Sequence, residues 1–151
     1  MDDKEHNFGI HSEAYMIGPC DFDSLMHYGQ CDFSTCGDCG ANPESFRTII
    51  LKPNWSYMQD LIGQRDYLSN LDKITMWMMY PPNGTVFVDK HYGGAIAVGT
   101  LFWPYKTFNA GYSMAPDLGT IVIQPGSYNE TGLYTKAETL MAPLGGVVLG
   151  E

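Results

Sequence analysis

Two adjacent prolines followed by Asn-Gly, at residues 81–84, divide this chain into two halves of different texture. Proline cannot continue a helix, because it lacks a backbone N–H and its ring clashes with the preceding turn. Before this break the chain is irregular and ends in a helical pattern. After it, short β-branched segments alternate with Gly and Pro turns. We therefore predict an α+β chain in two parts, residues 1–81 and residues 82–151.

A helix is predicted directly before the break. Ser69 and Asp72 form a capping box, in which the hydroxyl and the carboxylate bind backbone N–H groups at the helix start. Apolar residues then recur at helical spacing from Leu71 to Tyr80, where the prolines end the helix. Earlier in the chain, residues 48–51 (TIIL) predict a short strand.

The charge of the chain excludes one class of partner and leaves others open. The net charge is −9 with only eight Lys and Arg residues, whereas nucleic-acid affinity comes from basic side chains. No stretch of about 18 apolar residues predicts a membrane span. The first residues have no apolar core typical of a signal peptide, so we expect either a cytosolic protein or a sequence that starts inside a longer product.

Four cysteines, Cys20, Cys31, Cys36 and Cys39, lie in one Gly-rich segment. An even number of clustered cysteines favours disulfide bonds in an exported protein. Free thiols remain open as an alternative. So does a small structural zinc site completed by Cys20 or His27, although no second CxxC stands at zinc-ribbon spacing.

Residues 24–29 (SLMHYG) resemble the Met-turn of the astacin family of zinc metalloendopeptidases, within the metzincins. Further matches to the family follow the same order along the chain: Asn7-Phe8, Pro19 with residues 21–23 (DFD), residues 33–34 (FS), residues 62–65 (IGQR), residues 68–69 and Asp72. Cys20 departs from the family, which usually has an aromatic residue at that position. The resemblance covers roughly residues 5–81. It implies the C-terminal subdomain of a metzincin protease, irregular apart from one C-terminal helix.

The resemblance implies roles for three residues of the turn. Met26 would form an apolar floor beneath zinc-binding histidines. Tyr28 would be both a catalytic residue and an exchangeable zinc ligand, able to donate a hydrogen bond to the substrate oxyanion. His27 would orient the turn without binding metal. The implied cofactor is therefore zinc, the substrate a protein or peptide, and the location extracellular.

The element that supplies the other zinc ligands in this family is not in the sequence. That element is a helix reading H-E-x-x-H-x-x-G-x-x-H, with three histidine ligands and a general-base Glu. The histidines of this chain, none at that spacing, are His6, His11, His27 and His91. The chain begins where the segment after that helix would run. We therefore expect no catalytic zinc and no peptidase activity in this chain alone.

Residues 82–151 resemble the opening of a right-handed parallel β-helix of the pectate-lyase type. Strands are predicted at residues 85–89, 120–123, 138–141 and 146–149, and a short amphipathic helix over residues 104–115. Such a solenoid needs about three stacked repeats for a continuous core, and about two fit here.

Three functions follow from these patterns. The first is a fragment of a secreted zinc metalloendopeptidase joined to a β-helix module. The second is a non-catalytic protein whose β-helix binds a polysaccharide or cell surface. For Tyr128, Tyr134 and Trp103, roles in core packing are favoured over lining a carbohydrate site. The third is a translated gene fragment without activity.

Overall fold

The computed structural model describes residues 9, 11–12, 14–36, 39 and 43–150. His6 and the Asn7-Phe8 match lie outside these residues. The chain divides into two compact units, Met1–Thr75 and Met76–Glu151. This division falls within the sequence of the C-terminal helix, and the boundary at residues 81–82 stays a prediction.

The described part of the first unit consists mostly of turns, with short 3-10 helices at Pro43–Ser45 and Pro53–Met58. The strand predicted at residues 48–51 is wrong. The N–H groups of Thr48 and Ile49 both donate to the Gln30 carbonyl oxygen, at 2.8 and 3.2 Å. The Leu51 N–H donates to the Gln59 side chain at 2.8 Å. These three N–H groups therefore bond to isolated acceptors, and the segment pairs with no neighbouring strand in the described residues.

The predicted helix is present as α1, Asn70–Met79, and its capping box is confirmed. The Asp72 N–H donates to the Ser69 hydroxyl at 2.9 Å, and the Ser69 N–H donates to the Asp72 carboxylate at 3.1 Å. The two bonds satisfy donors that a helix start otherwise leaves without partners.

Helix and strands together give the mixed α and β content that the sequence predicts. The strands of the second unit are β1 (Thr85–Val88), β2 (Thr120–Ile123), β3 (Gly126–Tyr128), β4 (Thr139–Met141) and β5 (Val147–Leu149). The four strands predicted within residues 82–151 are present, and β3 is an additional one. The chain runs through β2 into β3, and then through β4 into β5, so that it alternates between two sheets.

All strand pairs in the two sheets are parallel. The first sheet has the order β1-β2-β4, with Val86 beside Ile121 and Ile121 beside Leu140. The second pairs β3 with β5 and sets Tyr128 beside Leu149. Parallel strands need long crossover connections, which here contain the helix α2 (Phe108–Met114) or a strand of the other sheet.

The helix α2 is shorter than the predicted segment, residues 104–115. It starts at Phe108 because Tyr105 makes a parallel bridge with Val88, which keeps the chain extended up to the N-cap Thr107. The Glu130 carboxylate accepts hydrogen bonds from the N–H groups of Phe108 and Asn109, at 2.9 and 2.6 Å. A carboxylate at this end also complements the helix dipole.

The core of the second unit lies between α2 and the strands. Its buried members are Val86, Val88, Phe108, Ala115, Ile121, Ile123 and Tyr128. Gly111 lets the helix approach β1 closely, since an added Cβ would lie 2.3 Å from the Val88 side chain. Burial of each large apolar side chain contributes about 1.5–3 kcal/mol. Within the described ranges, no helix has the length and apolar character needed to cross a membrane.

Candidate functional site

The turn at residues 21–29 is built by short-range hydrogen bonds. The Asp23 N–H donates to the Asp21 carboxylate at 3.1 Å, and the His27 N–H donates to the Ser24 carbonyl oxygen at 3.1 Å. At the far end, the Gly29 N–H donates to the Asp32 carboxylate at 2.8 Å. The aspartates that flank this turn therefore fold it locally, as Asp does in turns generally.

The carboxylate of Asp72 fixes the turn to the start of α1. It accepts hydrogen bonds from the Ser24 hydroxyl at 2.7 Å and from the Leu25 N–H at 3.0 Å, besides its bond from Ser69. The Ser69 hydroxyl in turn donates to Asp21. Burial alone raises the pKa of Asp72, but these hydrogen bonds to Ser24, Leu25 and Ser69 outweigh it and hold the pKa below its ordinary value.

Arg65 and Gln64 hold the backbone of the same turn. The Arg65 guanidinium donates to the carbonyl oxygens of Leu25 and His27 at 2.8 and 3.0 Å. The Gln64 amide donates to the carbonyl oxygen of Asp23 at 2.7 Å. Each of these partners lies about forty residues from the turn in sequence, so the turn is a tertiary feature and not only a local one.

The turn also requires a close backbone approach. An added Cβ on Gly63 would lie 2.2 Å from the Gly29 Cα atom, and Gly63 has a φ of +83°. Both conditions exclude other residue types at this position without a shift of the backbone.

The turn presents Met26 and Tyr28 on the surface of the first unit. Met26 is 82% exposed and Tyr28 is 43% exposed. They line an open concavity of about 590 Å³, together with His27 and residues 48–50. The Tyr28 ring makes an edge contact with Phe33 at 5.0 Å between centroids. The His27 ring nitrogen Nδ1 lies 2.7 Å from the Tyr28 carbonyl oxygen, which orients its imidazole.

The structure separates the four cysteines into two groups. The sequence leaves disulfides, free thiols and a zinc site open for them. Cys31 and Cys39 form a disulfide bond, with Cα atoms 5.7 Å apart. Cys20 and Cys36 are exposed thiols.

A second cluster, in the other unit, was not predicted from the sequence. A pocket of about 120 Å³ has the following lining residues: Phe108, Tyr112, Tyr134, Lys136, Glu138, Leu140 and Leu149. The Glu138 side chain is 3% exposed, and neither of its carboxylate oxygens has a hydrogen-bond partner among the residues that the structure describes. Desolvation raises the pKa of Glu138, while the nearby Lys136 charge opposes the shift. Glu138 belongs to no sequence motif, so it could not be identified as a candidate site residue from the sequence.

Of the aromatic residues weighed for a carbohydrate site, Tyr128 is buried in the core, as the favoured packing role requires. Its hydroxyl donates to the Gln124 carbonyl oxygen at 3.0 Å. Tyr134 lines the Glu138 pocket, and Trp103 is half exposed elsewhere in the unit.

Comparison with protein families identifies the family to which the first half of the chain is similar. The peptidase family described as Astacin matches residues 1–81, which is more than half of the sequence. The chain therefore belongs to the astacin family of peptidases. The comparison with curated proteins found no significant match. No solved structure matched significantly either.

Astacin-family proteins use zinc, and a zinc site needs several His, Cys, Asp or Glu side chains close together. In the described residues, no group of three or more His, Cys, Asp or Glu side chains comes together in a way that could hold a metal ion. His11 and His91 are exposed and belong to different units. The described residues of this chain therefore do not fit a complete zinc site by themselves.

Proposed function

We propose that this chain is the C-terminal part of the catalytic domain of a secreted, zinc-dependent astacin metalloendopeptidase. On this proposal the parent protein hydrolyses peptide bonds and the chain alone does not. The observation that carries the proposal is the turn at residues 21–29, which Asp72 and Arg65 hold from two sides while Tyr28 stays accessible.

The proposed roles follow from what the turn exposes. A phenol at an open concavity can donate a hydrogen bond to a developing oxyanion of the substrate, and Tyr28 is the phenol that the turn presents. Tyr28 is also the residue of this turn that we propose contacts the zinc ion. Met26 supplies an exposed apolar surface suited to packing beneath the side chains that bind the metal. The H-E-x-x-H ligands are not in this sequence.

The sequence of the transcript upstream of the Met1 codon tests this proposal. We expect an open reading frame that encodes H-E-x-x-H-x-x-G-x-x-H before Met1. A stop codon directly upstream, with no such helix encoded in frame, would contradict the assignment to a peptidase.

We propose that residues 82–151 are the first coils of a parallel β-helix of the pectate-lyase type. Two features support this: the strand pairs in the described part of the unit are parallel, and from β2 onward successive strands alternate between two sheets. An extracellular location is supported by the disulfide between Cys31 and Cys39, because such bonds persist in oxidising compartments.

As a second function, we propose that this β-helix part binds a polysaccharide. The observation that favours it is the buried carboxylate of Glu138, a residue that lines a pocket with aromatic walls and whose carboxylate has no hydrogen-bond donor in the described part of the chain. Retention of the full chain on immobilised neutral polysaccharides tests the function. Retention on none of them would exclude it.

A further inference from the structure

The Glu138 carboxylate is a buried acceptor without a hydrogen-bond donor in the part of the chain that the structure describes. Its side chain is 3% exposed, and both oxygens lack hydrogen-bond partners among the described residues. A carboxylate can accept about four hydrogen bonds, and a buried polar group without partners is strongly unfavourable. Buried polar groups in folded proteins are nearly always satisfied by protein, water or ligand.

The neighbouring Lys136 supplies charge to Glu138 but no hydrogen bond. Its ammonium nitrogen lies 3.9 Å from the nearest Glu138 oxygen. It donates to three backbone carbonyl oxygens, those of Tyr112, Ser113 and Ala115, at 2.7, 3.0 and 2.8 Å. An ammonium group has three N–H donors, so these bonds use all of them.

This arrangement favours a neutral donor over a cationic one. The Lys136 ammonium already balances the Glu138 charge. A second cation placed against the carboxylate would be repelled by the Lys136 ammonium at short range. A ligand with two adjacent hydroxyl groups could donate one hydrogen bond to each carboxylate oxygen without adding charge.

The rest of the pocket is apolar and aromatic. Tyr134 meets the rings of Phe108 and Tyr112 edge-on, at 5.0 and 4.8 Å between centroids. Leu140 and Leu149 complete the lining. Such walls suit the C–H surface of a sugar ring, while the volume of about 120 Å³ admits only part of one ring.

From these observations we infer that the pocket around Glu138 binds the vicinal hydroxyl groups of a neutral saccharide unit. Glu138 accepts both hydroxyl hydrogens, and Tyr134 contacts the C–H face of the sugar. The inference rests on the second proposed function and names its site and its ligand chemistry.

Ligand-observed saturation-transfer NMR on the full chain tests the inference with three probes. Methyl β-D-glucopyranoside carries vicinal ring hydroxyls, tetrahydropyran-2-methanol lacks them, and n-butylammonium is a cation. We expect transfer to the glucopyranoside ring protons and none to the other two probes. Preferential binding of n-butylammonium, or binding of none of the three, would overturn the inference.

Variants of the pocket residues test whether the saturation-transfer signal arises from binding in this pocket. Glu138→Gln should weaken glucopyranoside binding at least tenfold, because one acceptor oxygen is replaced by a donor. Tyr134→Ala, at a residue 38% exposed, should weaken binding without removing a core side chain. The matched control Glu44→Gln removes an exposed carboxylate in the other unit and should leave glucopyranoside binding unchanged. Unchanged affinity in both pocket variants would overturn the inference.

The polysaccharide experiment separates failure of the site from failure of the function. Wild-type chain retained on a polysaccharide, with Glu138→Gln and Tyr134→Ala retained equally, would leave saccharide binding in place but exclude this pocket. Wild-type chain retained on none of the polysaccharides would reject the function itself.

Discussion

The Ser24 hydroxyl donates a 2.7 Å hydrogen bond to the Asp72 carboxylate across 48 residues of sequence. The same carboxylate caps the start of α1 and accepts the Leu25 N–H. One side chain therefore stabilises both a helix terminus and the turn that carries Tyr28. Because of this coupling, loss of the Asp72 carboxylate affects the turn and the helix together.

Replacing Asp72 by Ala should destabilise the first unit by about 2–4 kcal/mol, since an N-terminal cap contributes about 1 kcal/mol and each further hydrogen bond about 1. Urea unfolding measures this change. The matched control is Asp66→Ala, at an exposed aspartate before the helix, which should shift stability by less than about 0.5 kcal/mol. Equal effects of the two variants would contradict the coupling.

The lowered pKa of Asp72 predicts a specific dependence on pH. Because the folded chain favours the ionised carboxylate, this stabilisation is present above the unfolded pKa of about 3.9 and is lost as pH falls through the lower folded pKa. Urea midpoints measured from pH 6 to pH 2 should fall less for Asp72→Asn than for the wild type. Parallel curves for the two proteins would show that another group governs acid unfolding.

Gly63→Ala should destabilise the chain by at least about 2 kcal/mol, since Gly63 has a positive φ and its new Cβ would collide with Gly29. Gly93→Ala serves as the control, because no atom lies within 4 Å of its added Cβ. Thermal unfolding of both variants measures the difference. A Gly63 variant as stable as the Gly93 variant would contradict the close approach.

Glu138→Gln should raise stability at neutral pH in the absence of ligand, because it removes a buried charge that accepts no hydrogen bond from the described residues. The raised pKa of Glu138 means that the folded chain binds its proton more tightly than the unfolded chain. Its contribution to stability therefore falls as pH rises from the unfolded value toward the raised folded value. Melting temperatures at pH 4 and pH 7 should show a gain for the variant mainly at pH 7. A loss at pH 7 would indicate that the charge stabilises the unit.

Alkylation followed by mass spectrometry should label two cysteines in the folded, non-reduced chain, Cys20 and Cys36. After reduction and unfolding, all four should react. Labelling of Cys31 or Cys39 without reductant would contradict the disulfide between them.

The sequence predicts local features of this fold better than long-range ones. The capping box of α1 and the short β-branched runs that predict the strands of the second unit are local sequence patterns, and both elements are present. The strand at residues 48–51 is absent because a carbonyl and a side chain elsewhere in the chain take its N–H groups. The start of α2 depends likewise on the pairing of Tyr105 with Val88.

The two candidate sites also differ in how far they could be predicted from the sequence. The turn at residues 21–29 has a family motif, so its residues could be named from the sequence. The Glu138 pocket depends on Lys136 donating all its N–H groups to backbone carbonyls. No pattern of residue types encodes that arrangement, so it could be identified only from the three-dimensional structure.

The central claim is that the turn at residues 21–29 forms part of an astacin active site whose zinc-binding helix must be supplied from another segment. A chimera that fuses an H-E-x-x-H-bearing half of an astacin peptidase upstream of Met1 tests it most directly, with kcat/KM for a peptide substrate as the measurement. We expect chelator-sensitive cleavage that falls at least tenfold in Tyr28→Phe and is unchanged in Tyr57→Phe, which alters an exposed tyrosine. A folded, zinc-containing chimera that is inactive, or equally active with Tyr28→Phe, would contradict the claim.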